Sequence, residues 1–398
     1  MRATLDRLEQ FGIDVILERR YGKRAAALRW LLYALSWLFR AGVQTRLWLF
    51  RQRLFRDRTP GVQVISVGNL TVGGTGKTPV VERLARTLND GGRRVVILSR
   101  GYKAKKPPLF RRLQRKWLGL EKNKSRIVHD GEKLLLDSRF AGDEPYMLAK
   151  SLRNVPVVVD KDRVRAALYA VRHLGANVLI LDDGMQYLHL RHRLEICLID
   201  CQAPFGNDFL LPRGTLREPP ASLRRARYII LTKSNGQEQP ALLERIRTHN
   251  RTARIIVTSH RALYLQHLYD TEDRPPLEYL EGKFIGALSG IARPESFEEK
   301  LTQLGANLVI TKRYADHHRF SDEELRDFMN RAVRRDLNLI VTTEKDAVRF
   351  PTSVEQLEVP IYFLRVEIEI LSGGEHWDHL VTRFCERREL VPSEHFFA

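Results

Sequence analysis

Residues Val62-Gln63-Val64-Ile65-Ser66-Val67, followed by Gly68-Asn69-Leu70-Thr71-Val72-Gly73-Gly74-Thr75-Gly76-Lys77-Thr78-Pro79, decide how the rest of the chain is read. The first six form a β-branched run after a Thr59-Pro60-Gly61 turn, which predicts a buried strand. The next twelve form a glycine-rich loop ending in Gly-Lys-Thr, and the apolar run Val80 to Leu88 beyond it has helical periodicity. Strand, loop and helix in that order are the context of a phosphate-binding P-loop. Small residues let backbone N–H groups point at phosphate oxygens, and the helix N-terminus adds its positive dipole end. In this reading Thr71, Val72, Gly73, Gly74, Thr75, Gly76, Lys77 and Thr78 cradle a nucleoside triphosphate. Lys77 reaches the β- and γ-phosphates, and the Thr78 hydroxyl holds Mg²⁺. Pro79 suits a first helical turn, where its missing N–H costs nothing. One position departs from the strict pattern: Thr71 stands where glycine is usual, and Gly73 and Gly74 are expected to supply the flexibility.

A buried strand over 178–181 ends in Asp182-Asp183-Gly184-Met185-Gln186. Carboxylates at the carboxyl ends of parallel strands are where P-loop proteins hold their metal. Neighbouring side chains on a strand face opposite ways. One of Asp182 and Asp183 is therefore expected to reach Mg²⁺, directly or through water, and the other a nearby donor or a second metal. The switch-GTPase reading fails on spacing. Asp183-Gly184 is not Asp-x-x-Gly, and Thr232-Lys233-Ser234-Asn235 is not the guanine-reading Asn-Lys-x-Asp.

The net charge of +19 on 398 residues is localised. Residues 1–60 carry +8 and residues 100–126 carry +10, whereas everything beyond 126 is close to neutral. Confined positive charge favours an anionic surface as partner. Residues 25–50 combine that charge with Trp30, Tyr33, Trp37 and Trp48. Their longest charge-free stretch, Trp30 to Phe39, is ten residues, about half of what a bilayer span requires. A helix lying in the membrane surface fits both facts. Nucleic acid is excluded as a partner, because the 100–126 run carries only Tyr102, Phe110 and Trp117 as stacking platforms. Cys197, Cys201 and Cys385 give neither a disulfide framework nor a zinc spacing, and they read as buried thiols in a reducing compartment.

At this point the chain resembles the tetraacyldisaccharide 4′-kinases, the lipid A 4′-kinases of Gram-negative bacteria. The likeness is carried by Gly68 to Pro79, including its departure at Thr71, and by Ser99-Arg100-Gly101-Tyr102, Gly142-Asp143-Glu144-Pro145 and Lys161-Asp162-Arg163. It continues through Asp182 to Gln186, Leu211-Pro212-Arg213-Gly214-Thr215-Leu216-Arg217-Glu218-Pro219, Ala315-Asp316-His317-His318 and Thr342-Thr343-Glu344-Lys345-Asp346-Ala347. These blocks run in family order across residues 61–350.

The resemblance implies γ-phosphoryl transfer from ATP, with Mg²⁺, to the 4′-hydroxyl of an acylated glucosamine disaccharide 1-phosphate, on the pathway to lipid A and lipopolysaccharide. It implies a peripheral protein on the cytoplasmic face of the inner membrane, acting on an anionic lipid and with no obligatory protein partner. Asp143 matches the family's base and His317 its paired histidine. Arg217 and Glu218 match a pair near the nucleotide phosphates, the first for transition-state charge and the second for metal. Arg163 matches a residue on the lipid side, and Tyr102 and Gln186 complete the expected substrate contacts. Without the resemblance, Asp143 reads first as a helix-start carboxylate. The alternative function is a membrane-peripheral P-loop protein that binds nucleotide without transferring phosphate.

Alternation of strands and helices predicts an α/β fold: a P-loop NTPase-type parallel sheet with helices on both faces, a second smaller α/β domain, and the N-terminal membrane-surface helix. Expected boundaries are 1–60 for the basic aromatic segment and 61–236 for the nucleotide domain, with strands near 62–67, 95–99, 156–159, 178–182, 196–200 and 228–232. A basic insertion, 103–141, falls inside it, either a further membrane arm or a solvated loop. The second domain is expected over 241–370, with strands near 254–258, 283–288, 307–311, 338–342 and 361–364. Residues 371–398 form a tail that folds back on the first domain. Asp143 and His317 then come from different halves, and the pair is expected to form on closure.

Overall fold

The computed structural model describes residues 11–101, 125–351 and 358–386. Its centre is a twelve-stranded sheet of order β10-β9-β11-β12-β8-β7-β6-β1-β5-β2-β4-β3. The strands are β1 Gln63–Asn69, β2 Val95–Ser99, β3 Arg126–His129, β4 Val157–Val159, β5 Val178–Asp182 and β6 Leu194–Asp200. They continue as β7 Tyr228–Thr232, β8 Arg254–His267, β9 Phe284–Ser289, β10 Asn307–Arg313, β11 Leu339–Thr343 and β12 Ile361–Ser372. Every residue of β1, β2, β5, β6 and β7 is buried. This is why those strands read as unbroken apolar runs: a parallel sheet covered on both faces has no solvent side to alternate toward.

The principal helices are α1 Lys23–Arg51, α2 Lys77–Asp90, α3 Asp143–Ser151, α4 Arg163–Leu174, α5 Pro240–His249, α6 Pro294–Gln303, α7 Asp322–Val333, α8 Glu344–Ala347 and α9 Gly374–Cys385. On one face Val81, Leu84 and Leu88 of α2 and Leu148 of α3 share a core with Trp377, Leu380 and Phe384 of α9. On the other, Val164, Ala167 and Ala170 of α4 pack against Leu179 and Leu181. The second half has its own pair of cores, around Phe328 and Phe363 and around Phe297 and Val341.

Two pairings depart from the parallel expectation. Strand β3, which the sequence reading placed within a basic insertion, runs antiparallel to β4 at the sheet edge; residues 103–124 of that insertion lie outside the described residues. Strands β8 and β12 are longer than expected and pair antiparallel, with register shifts at Arg365/Val366 and Ile370/Ser372. Because β8 also pairs in parallel with β7, hydrogen bonds run without a break from the P-loop strand to β10. The expected pair of halves thus shares one sheet.

Helix α1 buries only Ala25, Ser36, Val43 and Leu47. These positions recur at near-integral helical turns and form one narrow stripe. Trp30, Leu31, Trp37, Leu38 and Trp48 are exposed, Trp30 by 74% and Leu38 by 71%. No helix of the described residues is long and apolar enough to cross a membrane.

Candidate active site

The glycine-rich loop is held open by its neighbours. Gly73 and Gly76 take φ of 112° and 74°, conformations that penalise any side chain. Thr71 takes no such angle. It is extended, forming a bridge with Leu216, which explains why glycine is not needed there. The loop is braced from outside: Val72 N–H donates to Thr215 O (2.7 Å), Arg217 N–H to Leu70 O (2.7 Å), Thr232 Oγ1 to Thr75 O (2.8 Å) and Lys233 Nζ to Gly74 O (2.5 Å). Helix α2 begins at Lys77 with no side-chain cap, so its first N–H groups remain available to an anion. Thr78 is half-buried in that first turn.

Around this loop the sequence-predicted charges converge. Lys77 Nζ lies 3.3 Å from Asn69 Oδ1 and 3.7 Å from Asp183 Oδ1. Arg217 grips both oxygens of Asp183, at 2.8 and 2.9 Å, while its Nη2 also donates to Asn69 Oδ1 and its Nε to Thr71 O (3.1 Å). Gln186 Nε2 donates to Asn69 O at 3.0 Å. Asp182 and Asp183 diverge as expected of neighbours. Asp182 ends β5, is buried and accepts from Ser99 Oγ at 3.0 Å. Burial, helped by Glu144 and Asp183, pushes its pKa up to about 7. Asp183 adopts φ 54°, which turns the chain off the strand. Burial works against its ionisation, but Lys77, Arg217 and Arg163 hold it well below the usual carboxylate range. Gly184 and Gly68 permit this turn: a Cβ on Gly184 would meet Ser66 Oγ at 2.4 Å, and one on Gly68 would meet Met185 Cβ at 2.6 Å.

Arg163 starts α4 behind the Asp162 cap. It is buried, with its guanidinium 4.5 Å over the Tyr187 ring and its Nε without a hydrogen-bond partner. Burial first, and then repulsion from Arg100, depress its pKa against the pull of Asp183. Tyr102 lies outside the described residues. Glu218 is a correction. Its carboxylate, expected near metal, is fully buried and faces Arg225 at 2.7 Å and Arg46 of α1 at 3.5 Å. Arg217 and Glu218 are adjacent at a bend, the first directed to the loop and the second to Arg225.

Among the described residues no group of three His, Cys, Asp or Glu side chains forms a ready metal cage. The fit to Mg²⁺ rests instead on a smaller donor set. Asp182 is a buried carboxylate that feels Lys77 but makes no direct ion pair among the described residues, beside a second carboxylate and the first turn of a P-loop helix. A hard divalent ion takes such oxygens together with a hydroxyl and phosphate oxygens.

A second constellation lies at the start of α3. Asp143 Oδ2 is 3.1 Å from His317 Nδ1 and accepts from Arg349 Nε at 2.8 Å; its Oδ1 accepts from Arg319 Nη2 at 2.9 Å. The pair expected only on closure is already formed here. His317 sits at φ 68° in the loop after β10. A capping box between Ser321 and Glu324 begins α7, and Glu324 Oε2 also bonds His318 Nε2 at 2.9 Å, which pins that loop. His318 stacks on Tyr314 and faces away from Asp143. Burial raises the Asp143 pKa, but His317, Arg349 and Arg319 more than offset this and keep the carboxyl ionised. The next residue, Glu144, is near enough to Asp182 to raise its pKa, which links this constellation to the metal-side carboxylates. Arg319 and Arg349 were not anticipated from sequence.

A sequence model of the family described as LpxK, tetraacyldisaccharide-1-P 4′-kinase, matches residues 28–385. The chain belongs to this family. Tetraacyldisaccharide 4′-kinases of Syntrophus aciditrophicus and Anaeromyxobacter dehalogenans are each 38% identical to it. The first alignment covers 89% of this chain and 93% of the relative; the second covers 85% of both. Among solved structures, LpxK from Aquifex aeolicus in complex with ATP superposes with a TM-score of 0.70 at 29% identity, over 90% of this chain and 99% of that one. The match runs through the P-loop, both acidic turns and the second half, so the family extends across both constellations.

Proposed function

We propose that this protein transfers the γ-phosphoryl group of ATP to the 4′-hydroxyl of a tetraacylated glucosamine disaccharide 1-phosphate, a step of lipid A biosynthesis. The observation that carries the reading is the Asp143–His317 pair at 3.1 Å, set beside a P-loop whose lysine and arginine meet at Asp183. A protein that only bound nucleotide would need no proton acceptor there.

In this reading the loop N–H groups and Lys77 bind the β- and γ-phosphates, and Arg217 leaves part of its grip on Asp183 for the transferring group. Asp143 accepts the hydroxyl proton through Oδ2, beside which His317 Nδ1 lies. A carboxylate kept ionised is sufficient, because a loose phosphoryl transition state asks little of its base until late. Thr78 and Asp182 or Asp183 would hold Mg²⁺, which would supply positive charge against the phosphates. Arg163, buried and only partly bonded, is offered to the sugar 1-phosphate; Gln186 orients the Asn69 turn.

The lipid substrate and the exposed tryptophan face of α1 favour work at a membrane surface. We assign that surface to the cytoplasmic side of the inner membrane, with the protein peripheral. The test is transfer of labelled γ-phosphate from Mg-ATP to tetraacylated disaccharide 1-phosphate in mixed micelles. Label is expected in the lipid and should be lost in Asp143→Asn, with ATP affinity kept. Unlabelled lipid, with ATP still bound, would favour the non-transferring nucleotide binder.

A further inference from the structure

Arg349, which helps keep Asp143 ionised, is also the most connected side chain of the second constellation. Its side chain has 0% exposure. Nε donates to Asp143 Oδ2 (2.8 Å), Nη1 to Asp346 Oδ1 (2.8 Å) and to Gly290 O (3.0 Å), and Nη2 lies 3.0 Å from His317 Nδ1. These acceptors come from α3, from α8, from the turn after β9 and from the loop after β10. One planar fork therefore meets four segments of the chain. Asp346 is itself held by Gly290 N–H (2.9 Å) and Thr343 Oγ1 (2.7 Å), so the fork has a fixed base.

A guanidinium carries donors only. Where Nη2 bonds His317, Nδ1 must offer its lone pair, and the ring proton then sits on Nε2. The same Nδ1 lies 3.1 Å from Asp143 Oδ2. When Oδ2 carries the proton of the substrate hydroxyl, Nδ1 can accept from it in place of Nη2, because both lie within hydrogen-bond reach of that nitrogen. We propose that Arg349 is a positioning residue for phosphoryl transfer: its fork holds the Asp143 carboxylate and the His317 imidazole in one arrangement, with Nδ1 presented as acceptor. This rests on the assignment of Asp143 and His317 above. A lysine cannot replace the fork, because one ammonium cannot present donors in a plane to four sites.

The charged and titratable groups around Asp143 are His317 and Arg319 from the loop after β10, Arg349 and its partner Asp346 from the α8 end, and Glu144 on its own helix. Removing one cation from this set favours the protonated carboxyl, so the acid limb of activity should move to higher pH. Lysine at the same place keeps the charge and loses the geometry, and the two effects can be separated.

The experiment compares Arg349→Lys, Arg349→Met and the charge-balanced Arg349→Met/Asp346→Asn, with Asp143→Asn alongside. ATP affinity, kcat, KM for each substrate and the pH profile of kcat are measured. Arg349→Lys is expected to lose kcat on the order of 100-fold, with ATP affinity and the acid limb unchanged. Arg349→Met should in addition move the acid limb up by about one pH unit. The double variant, which leaves no buried charge unpaired, should match the lysine variant in kcat while keeping native ATP affinity. Wild-type kcat in Arg349→Lys or in the double variant would overturn the proposal. So would an unmoved acid limb in Arg349→Met, which is what a purely structural bolt would give. If Asp143→Asn retains turnover, the underlying base assignment fails; if it loses turnover while Arg349→Lys keeps it, only the role of Arg349 fails.

Discussion

Arg46 of the N-terminal helix lies 3.5 Å from Glu218, a fully buried carboxylate next in sequence to Arg217 of the phosphate cradle. The surface-facing helix and the nucleotide site thus meet through a pair of adjacent residues. Asn207 and Arg213, in the loop leading to Arg217, also bond Ile16 O and Glu18 Oε1, at 2.8 and 2.6 Å. The N-terminal segment is therefore fastened to the loop that carries Arg217.

Glu218 should behave as a structural anion. Glu218→Ala leaves Arg225 without its carboxylate in a buried setting, and is expected to lower stability by about 3 kcal/mol in urea unfolding. Arg46 is 40% exposed, and Arg46→Ala should cost less than about 1 kcal/mol. The Mg²⁺ concentration that supports half-maximal turnover should not change in Glu218→Gln; a large rise would return this residue to the metal site.

His260 gives a pH signature. Its Nε2 is buried without a partner beside Gly76, and burial, aided by Lys233, pushes its pKa down to about 4. The unfolded chain takes up this proton near pH 6.5, whereas the folded protein refuses it until about 4. Its contribution is therefore complete above pH 6.5 and is lost as pH falls toward 4, on the order of 3 kcal/mol in all. Stability curves of wild type and His260→Gln should diverge through that window, the variant falling less steeply. Parallel curves would sink the assignment.

The tryptophan face of α1 makes a binding prediction. Trp30→Ser and Leu38→Ser each remove a side chain that could bury about 1.5–3 kcal/mol of apolar surface in a membrane. Co-sedimentation with anionic vesicles should weaken by at least about tenfold in the double variant, while thermal stability stays within about 1 kcal/mol because both side chains are exposed. Unchanged sedimentation would move the membrane contact to another part of the chain.

Arg365 of β12 lies between two carboxylates, Glu82 of the P-loop helix and Glu344 of α8. It thereby ties the nucleotide-binding helix to the half that carries Arg349. Arg365→Met leaves Glu344 without its paired cation, whereas Glu82 keeps Arg86, and should destabilise by about 3 kcal/mol. The triple neutral variant with Glu82→Gln and Glu344→Gln should recover most of that. Failure to recover would mean that Arg365 acts through packing instead of charge.

The P-loop was legible because its signal is local: β1, the glycines and the start of α2 lie within sixteen residues of one another. Asp143 and His317 are 174 positions apart, and no periodicity could join them; only the family resemblance did. Arg349 lies three residues after Asp346, a spacing that puts both on one side of a helical turn, and this was an available hint. Strand β3 escaped notice because four residues in a basic stretch give no alternation to read. The outer parts of β8 and β12 did carry a signal, since Arg365, Glu367 and Glu369 alternate with Val366, Ile368 and Ile370. What sequence could not supply was their antiparallel pairing, which depends on which edges meet in space.

Helix α9 has a consequence for how the protein matures. Trp377, Leu380 and Phe384 complete the apolar surface beneath Leu84 and Leu88 of the P-loop helix. During synthesis, helix α1 and the glycine-rich loop leave the ribosome more than 280 residues before that surface is closed. The P-loop helix thus stands on an unfinished foundation until α9 has been made, so that competence to handle ATP comes late in synthesis.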